Sequence, residues 1–154
     1  MKKFLFAAII LLFINGVFAQ SKTVINSGAI NVSDEVKNGK HFVVIQLTSN
    51  DTLVWKGLMN NLKNLKTGWG DDVQIEVVAH SAGIEMLMTS KTTQQQKITE
   101  FKNKGVVFVG CENTMRERKI TKDAIIAEAG FVPMGVGEII MKQEQGWSYL
   151  KVGF

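Results

Sequence analysis

Residues 106–118 read VVFVGCENTMRER. Val106 to Gly110 carries no charge and is rich in β-branched and aromatic side chains, the make-up of a strand buried on both faces. Cys111 follows at once, and Glu112 to Arg118 then reads as a helix or helical turn. Two earlier segments share the strand pattern: His41 to Thr48 (HFVVIQLT) and Val73 to His80 (VQIEVVAH). Between them, Ser49-Asn50-Asp51 forms a turn with Asn50 or Asp51 as helix cap. Leu53, Val54, Leu58, Leu62 and Leu65 then recur at helical spacing as far as Lys66.

The same reading extends to both ends of the domain. Ser81-Ala82-Gly83 opens a short helix over Ile84–Met88. A polar stretch from Lys91 leads to a helix ending at Lys104, with Ile98 and Phe101 inward and Gly105 as its stop. A further helix is expected from Ile120 through Ala129, capped by Thr121. Phe131 to Met134 is a short strand, Val136 to Gln145 a helix, and Trp147 to Val152 a last strand. Strands alternating with helices predict an α/β fold, a largely parallel sheet with helices on both faces. Such a sheet carries its ligand site at the carboxyl ends of its strands.

Composition agrees with one globular domain: 154 residues, 45% hydrophobic, 21% charged, one proline. A single cysteine cannot close an internal disulfide, and one Cys with two His makes a structural zinc site improbable. Residues 1–19 have the form of a secretory signal peptide: Lys2 and Lys3, an apolar run from Phe4 to Ile14, then a cleavage site after Ala19. That run is about half of the roughly 20 residues a membrane span needs. Export to the periplasm or beyond is therefore expected, with no span in the mature chain. Residues 20–40 form a polar lead-in, with a short strand at Thr23–Ile25, and residues 41–154 form the α/β domain. The formal charge is +4, and cleavage would remove two of those lysines. A nearly neutral mature domain has no electrostatic case for nucleic acid.

The strand-end rule selects Ser49, Asn50 and Asp51 after the first strand, His80 and Ser81 after the second, and Cys111, Glu112 and Asn113 after the third. All should share one edge, with His41 at the opposite edge. At a strand-to-helix joint, free N–H groups and the helix dipole favour a thiolate at Cys111. Arg116 and Arg118 would add positive potential, and Glu112 would oppose it. A free cysteine is also a common space-filler. His80 could serve as a base, a thiolate partner or a single metal ligand, or simply be a hydrogen-bonded strand-end histidine. Gly135-Val136-Gly137 lacks the full phosphate-loop pattern and reads as a turn with close packing. Met86, Met88 and Met115 read as filler. Lys97, Lys102, Lys104 and Lys119 read as scattered, solvated charges. Trp147 and Tyr149 share one face of the last strand, for core or subunit contact.

From His41 to the end the chain resembles the DsrE/DsrF-like family of sulfur-relay proteins. The resemblance lies in LMNNLKNLKTGWGDDVQIEVVAHSAGIEML, in GVVFVGCENTMRERKI and in GFVPMGVGEIIMKQEQGWSYLKV, in that order. It implies a three-layer α/β/α fold around a five-stranded sheet, assembled as a homo-oligomer, a trimer or hexamer. It implies that Cys111 stands where the family's active cysteine follows a central strand, and that donor and acceptor proteins exchange sulfur with it as a persulfide. No cofactor is expected. Where the family has His-Gly, this chain has His80-Ser81, with Gly83 two residues later. The familiar relays are cytoplasmic, whereas export is expected of this chain from residues 1–19.

Two functions follow. In one, an exported sulfur-handling protein carries sulfane sulfur on Cys111, with Ser49, Asn50, Ser81, Glu112 and Asn113 lining the site and His80 as proton carrier. This requires an exposed, ionisable thiol. In the other, the same fold is a non-catalytic, oligomeric small-ligand module with Cys111 a passive lining residue. A weaker third is peroxide or thiol-redox sensing at the same cysteine.

Overall fold

The computed structural model describes residue 36 and residues 38–153. The proposed signal peptide, nearly all of the lead-in and the strand expected at Thr23–Ile25 lie outside these residues.

Five strands form one parallel sheet: β1 (His41–Leu47), β2 (Val73–Ala79), β3 (Val106–Cys111), β4 (Gly130–Val132) and β5 (Ser148–Val152). Their spatial order is β4-β3-β2-β1-β5, with every neighbouring pair parallel. The helices are α1 (Thr52–Trp69), α2 (Gln95–Asn103), α3 (Glu112–Glu117) and α4 (Gly135–Glu144), with 3-10 turns at Gly70–Asp72, Ser81–Leu87 and Lys122–Ala124. Asp51 is the cap of α1, its carboxylate accepting the Leu53 N–H at 2.8 Å.

The period of two along each strand divides the core. Val43, Ile45, Leu47, Ile75, Val77, Ala79 and Phe108 face one side, packed against Trp55, Leu58, Met59 and Leu62 of α1, Ile98 and Phe101 of α2 and Met115 of α3. Val44, Val78, Val109 and Val132 face the other, packed against Ile139 of α4 and Trp147. The three-layer α/β/α architecture is therefore unequal, with several elements on one face and α4 on the other. The chain steps outward from β1 to β4, then returns through α4 to place β5 beside β1.

Three expectations change in detail. The stripe of α1 that meets the sheet is Trp55, Leu58, Met59 and Leu62, while Leu53 is 74% exposed. Leu53 lies in the first turn, off the angular range of that stripe. The segment Ser81–Leu87 is a 3-10 helix. Residues 120–129 form only the 3-10 turn Lys122–Ala124. The backbone after it bonds across, not along: Thr89 N–H to Ala124 C=O, Ile126 N–H to Leu87 C=O, and Ile125 in an antiparallel bridge to Met88. Both Ile125 and Ile126 are buried by this.

Candidate functional site at the switch point of the sheet

Parallel register fixes the site before any side chain is considered. Ala79 pairs with Gly110 and Cys111 with Val132. His80 follows Ala79, so it stands beside Cys111 on the face that α4 covers. The chain leaves β3 through α3, whose Met115 joins the larger core, and leaves β4 through α4, on the opposite face. Adjacent strands whose exits part to opposite faces open a crevice at their carboxyl ends. Cys111 occupies that position.

Its sulfur is held by backbone. The Gly135 N–H donates to Cys111 Sγ at 3.1 Å, and the Thr114 N–H donates at 3.5 Å. Burial pushes the thiol up. The N–H groups of Thr114 and Gly135, the Thr114 hydroxyl and the Asn113 N–H push it down, and the balance lies below the ordinary thiol value. The Thr114 and Gly135 donors come from the first turns of α3 and α4, where N–H groups have no partner within the helix, while the Asn113 N–H also bonds the Pro133 carbonyl at 3.2 Å. The expected help from arginine is directed elsewhere. Arg118 bonds the Ser81 carbonyl at 3.1 Å and pairs with Glu85 at 3.2 Å. Arg116 donates to Asn113 Oδ1. Glu112 is paired with Lys122 at 2.7 Å.

The relay reading requires an exposed thiol, and here Cys111 is 5% exposed. Gly135 explains why. A β-carbon there would lie 3.0 Å from His80 Cβ and 3.2 Å from Cys111 Cβ. The turn into α4 thus closes down on both residues, and only glycine lets it come so near.

His80 is also buried, and desolvation lowers its pKa, so the ring is neutral near pH 7. Both ring nitrogens are engaged. Nε2 is 2.8 Å from Gln46 Nε2, and Nδ1 is 3.1 Å from Ser81 Oγ. Tyr149 donates its hydroxyl proton to Gln46 Oε1. That fixes the amide so that Gln46 donates to Nε2, leaving the ring proton on Nδ1, toward Ser81. Among the described residues, His80 thus bonds to Gln46 and Ser81, with no hydrogen bond to Cys111.

Ser81 has φ +51°. Its N–H donates to Thr114 Oγ1 at 3.1 Å, tying the β2 loop to α3. Gly83 follows because a β-carbon there would stand 2.2 Å from the Leu47 carbonyl oxygen. Ser49 and Asn50 lie at the same edge but act within it. Ser49 Oγ accepts the Asp51 N–H at 3.1 Å, and the Asn50 amide reaches Glu85 at 3.5 Å. His41 sits at the other edge, stacked on Trp69 with centroids 3.9 Å apart. Gln46, Thr114, Gly135 and Tyr149 were not singled out as site residues from the sequence. Gln46 left a signal, as an amide inside an otherwise apolar strand. Tyr149 reaches the site only through the register that sets it opposite Val44, beside Gln46.

Among the described residues no three His, Cys, Asp or Glu side chains converge where they could hold a metal ion, and no helix is long and apolar enough to cross a membrane.

The model of the DsrE/DsrF-like family matches residues 20–152. A solved protein of unknown function from Methanobacterium thermoautotrophicum is 30% identical, with a TM-score of 0.69, over 73% of this chain and 99% of that one. A conserved protein of unknown function from Bacteroides thetaiotaomicron is 19% identical, with a TM-score of 0.59, over 80% of this chain and 98% of that one, and shares the fold. None of the curated proteins searched matches.

Proposed function

This chain belongs to the DsrE/DsrF-like family, and from that premise we propose that it is an exported sulfur-handling protein that carries sulfane sulfur on Cys111. The observation that carries the reading is the backbone cage around Cys111 Sγ, which favours the anion inside a buried site. A thiolate is the nucleophile in sulfur exchange. Cys111 thiolate attacks the outer sulfur of a donor persulfide. A new S–S bond forms to Sγ, the donor's S–S bond breaks, and the donor leaves as a thiolate. In the second step an acceptor thiolate attacks the outer sulfur, and Cys111 leaves as thiolate. No net oxidation occurs, and the N–H groups of Gly135 and Thr114 stabilise the sulfur anion before and after. His80 serves as a wall held in one tautomer, not as the base that ionises the thiol. Asn113, Ser81 and Glu112 frame the approach.

Attack requires the turn at Gly135 to move, since it covers the sulfur. Export rests on the signal-like residues 1–19, and the donor and acceptor are proteins of the same compartment. Assembly as a trimer or hexamer is supported by the exposed apolar side chains Met134, Val136, Ile140 and Met141 beside the site.

Purified protein is incubated with polysulfide and read by intact mass. The wild type is expected to gain sulfur reversibly by dithiothreitol, and Cys111→Ser to gain none. Equal gain in both would overturn the reading. The burial of Cys111 favours one competitor, a small-ligand module in which the cysteine is passive lining. An unmodified wild type whose ligand binding survives Cys111→Ser would establish that competitor.

A further inference from the structure

Four lysines gather far from Cys111, around a cavity of about 300 Å³ between α1 and α2. Lys63 and Lys66 come from α1, Lys97 from α2 and Lys104 from its end; Asn60 and Thr67 complete the polar lining. Met59 and Phe101, both buried, form the base. The spacing explains the grouping. Residues 59, 63 and 66 lie along one stripe of α1, and 97, 101 and 104 along one stripe of α2. The lysines that look scattered along the sequence are therefore partly one cluster.

Among the described residues the cluster has a single carboxylate. Glu100 meets Lys104 at 2.5 Å. The carboxyl is held below its ordinary value first by that hydrogen bond and charge, then by Lys97 and Lys63. Three ammonium groups thus act on one acid. Fold stability accounts for two of the four lysines. Lys66 donates to the Gly70 carbonyl at 2.9 Å and sits in the last turn of α1, where the helix dipole favours a cation. Lys104 caps the end of α2 in the same sense. The other two have no such account. Lys97 is in the first turn of α2, where the dipole disfavours a cation. Lys63 is in the body of α1, and among the described residues neither it nor Lys97 has an ion pair. Like charges facing one cavity repel, and that repulsion is relieved by an anion between them.

We propose that this groove is a binding site for a compact, multiply charged oxyanion of the phosphate or sulfate class. Lys63 and Lys97 are its principal ligands, from opposite walls. Lys66 and Lys104 supply the field; Glu100 neutralises one ammonium, and the roughly three positive charges that remain suit an anion carrying two or more negative charges. The site is independent of sulfur transfer at Cys111.

Calorimetric titration of the full protein with inorganic pyrophosphate and with sulfate, at matched ionic strength, tests this. One saturable pyrophosphate site is expected. Its affinity should fall about a hundredfold in Lys63→Gln/Lys97→Gln, which corresponds to the loss of two charge-assisted contacts at roughly tenfold each, and should stay unchanged in Lys119→Gln. Saturation by sulfate as well would identify a general oxyanion site; saturation by pyrophosphate alone would identify a polyphosphate site. Both variants alter exposed side chains, and far-ultraviolet circular dichroism confirms the fold. Absence of saturable binding of either anion, or equal weakening in Lys119→Gln, overturns the proposal.

Discussion

Ser81 shows how one residue can carry opposing demands. At φ +51° a side chain crowds its own backbone, at a cost of roughly 1–2 kcal/mol that glycine avoids. Family-like loops place glycine after the histidine, and the geometry gives the reason. Serine in its place gains a hydroxyl 3.1 Å from His80 Nδ1. Two substitutions separate strain from hydrogen bond. Ser81→Gly removes both: the relieved strain is offset by the lost bond and by glycine's freer unfolded chain, so its stability should stay near that of the wild type and roughly 0.5–1 kcal/mol above Ser81→Ala. Ser81→Ala keeps the strain, loses the bond and should lower stability by roughly 0.5–1.5 kcal/mol. Urea unfolding of the three proteins measures both; a Ser81→Gly protein as weak as Ser81→Ala would mean the strain is negligible. The sequence showed Ser81, His80 and Cys111 as neighbours because parallel strands end together. It did not show the thiol's cover, because Gly135 is distant in sequence and a glycine announces no contact.

At the scale of elements, α4 is fastened by charge as well as by Ile139. Lys142 meets the buried Glu76 of β2 at 2.8 Å, lies 3.7 Å from Glu138, and stands over the Trp147 ring at 4.2 Å. Among the described residues, Glu76 Oε1 is buried with no hydrogen-bond partner. Burial raises the Glu76 pKa, outweighing the bond and charge of Lys142, which lower it. The folded protein therefore holds this proton more tightly than the unfolded chain does. Between the ordinary glutamate value and the raised folded value, stability must fall as pH rises. Other carboxylates, such as Glu85 and Glu128, are lowered and slope the opposite way. The signal is thus the difference between wild type and Glu76→Gln. Relative to that variant, the wild type should lose stability from pH 4.5 to pH 7, as followed by urea unfolding at each pH. A constant difference would show that Glu76 ionises as it does in the unfolded chain. Local pattern read the strands, α1, α2 and α4 closely, because each has an apolar face of its own. It failed over residues 120–129, where Ile125 and Ile126 bond to the Leu87–Met88 backbone across the chain. No local period records a partner so far away.

Across the whole molecule, strand composition made the parallel α/β class legible, and the carboxyl edge followed from it. The unequal layering did not. Alternation along β1, β2 and β3 shows two buried faces without saying how much covers each. Among the described residues, one face has α1, α2 and α3; the other has α4, with Gly135 and Ile139 as its buried residues. Val136 and Ile140 stand one turn apart on its outer surface, 55% and 50% exposed, and Met134 and Met141 are exposed beside them. On the same sheet face, Val107 is 48% exposed. A patch of this kind on an isolated chain marks an association surface. If a second copy covers it, the turn that closes over Cys111 becomes part of a subunit boundary, and access to the sulfur depends on assembly. Val136→Glu/Ile140→Glu places two carboxylates on the outer stripe of α4 without touching Ile139. Sedimentation velocity should show the wild type as a trimer or hexamer and the variant as a monomer, because two like charges facing their copies at a desolvated contact cost several kcal/mol. Alkylation of Cys111 by iodoacetamide, followed on the same samples, should be faster in the variant. A wild type that sediments as a monomer at all concentrations would leave α4 a bare outer layer and remove the subunit boundary from the site.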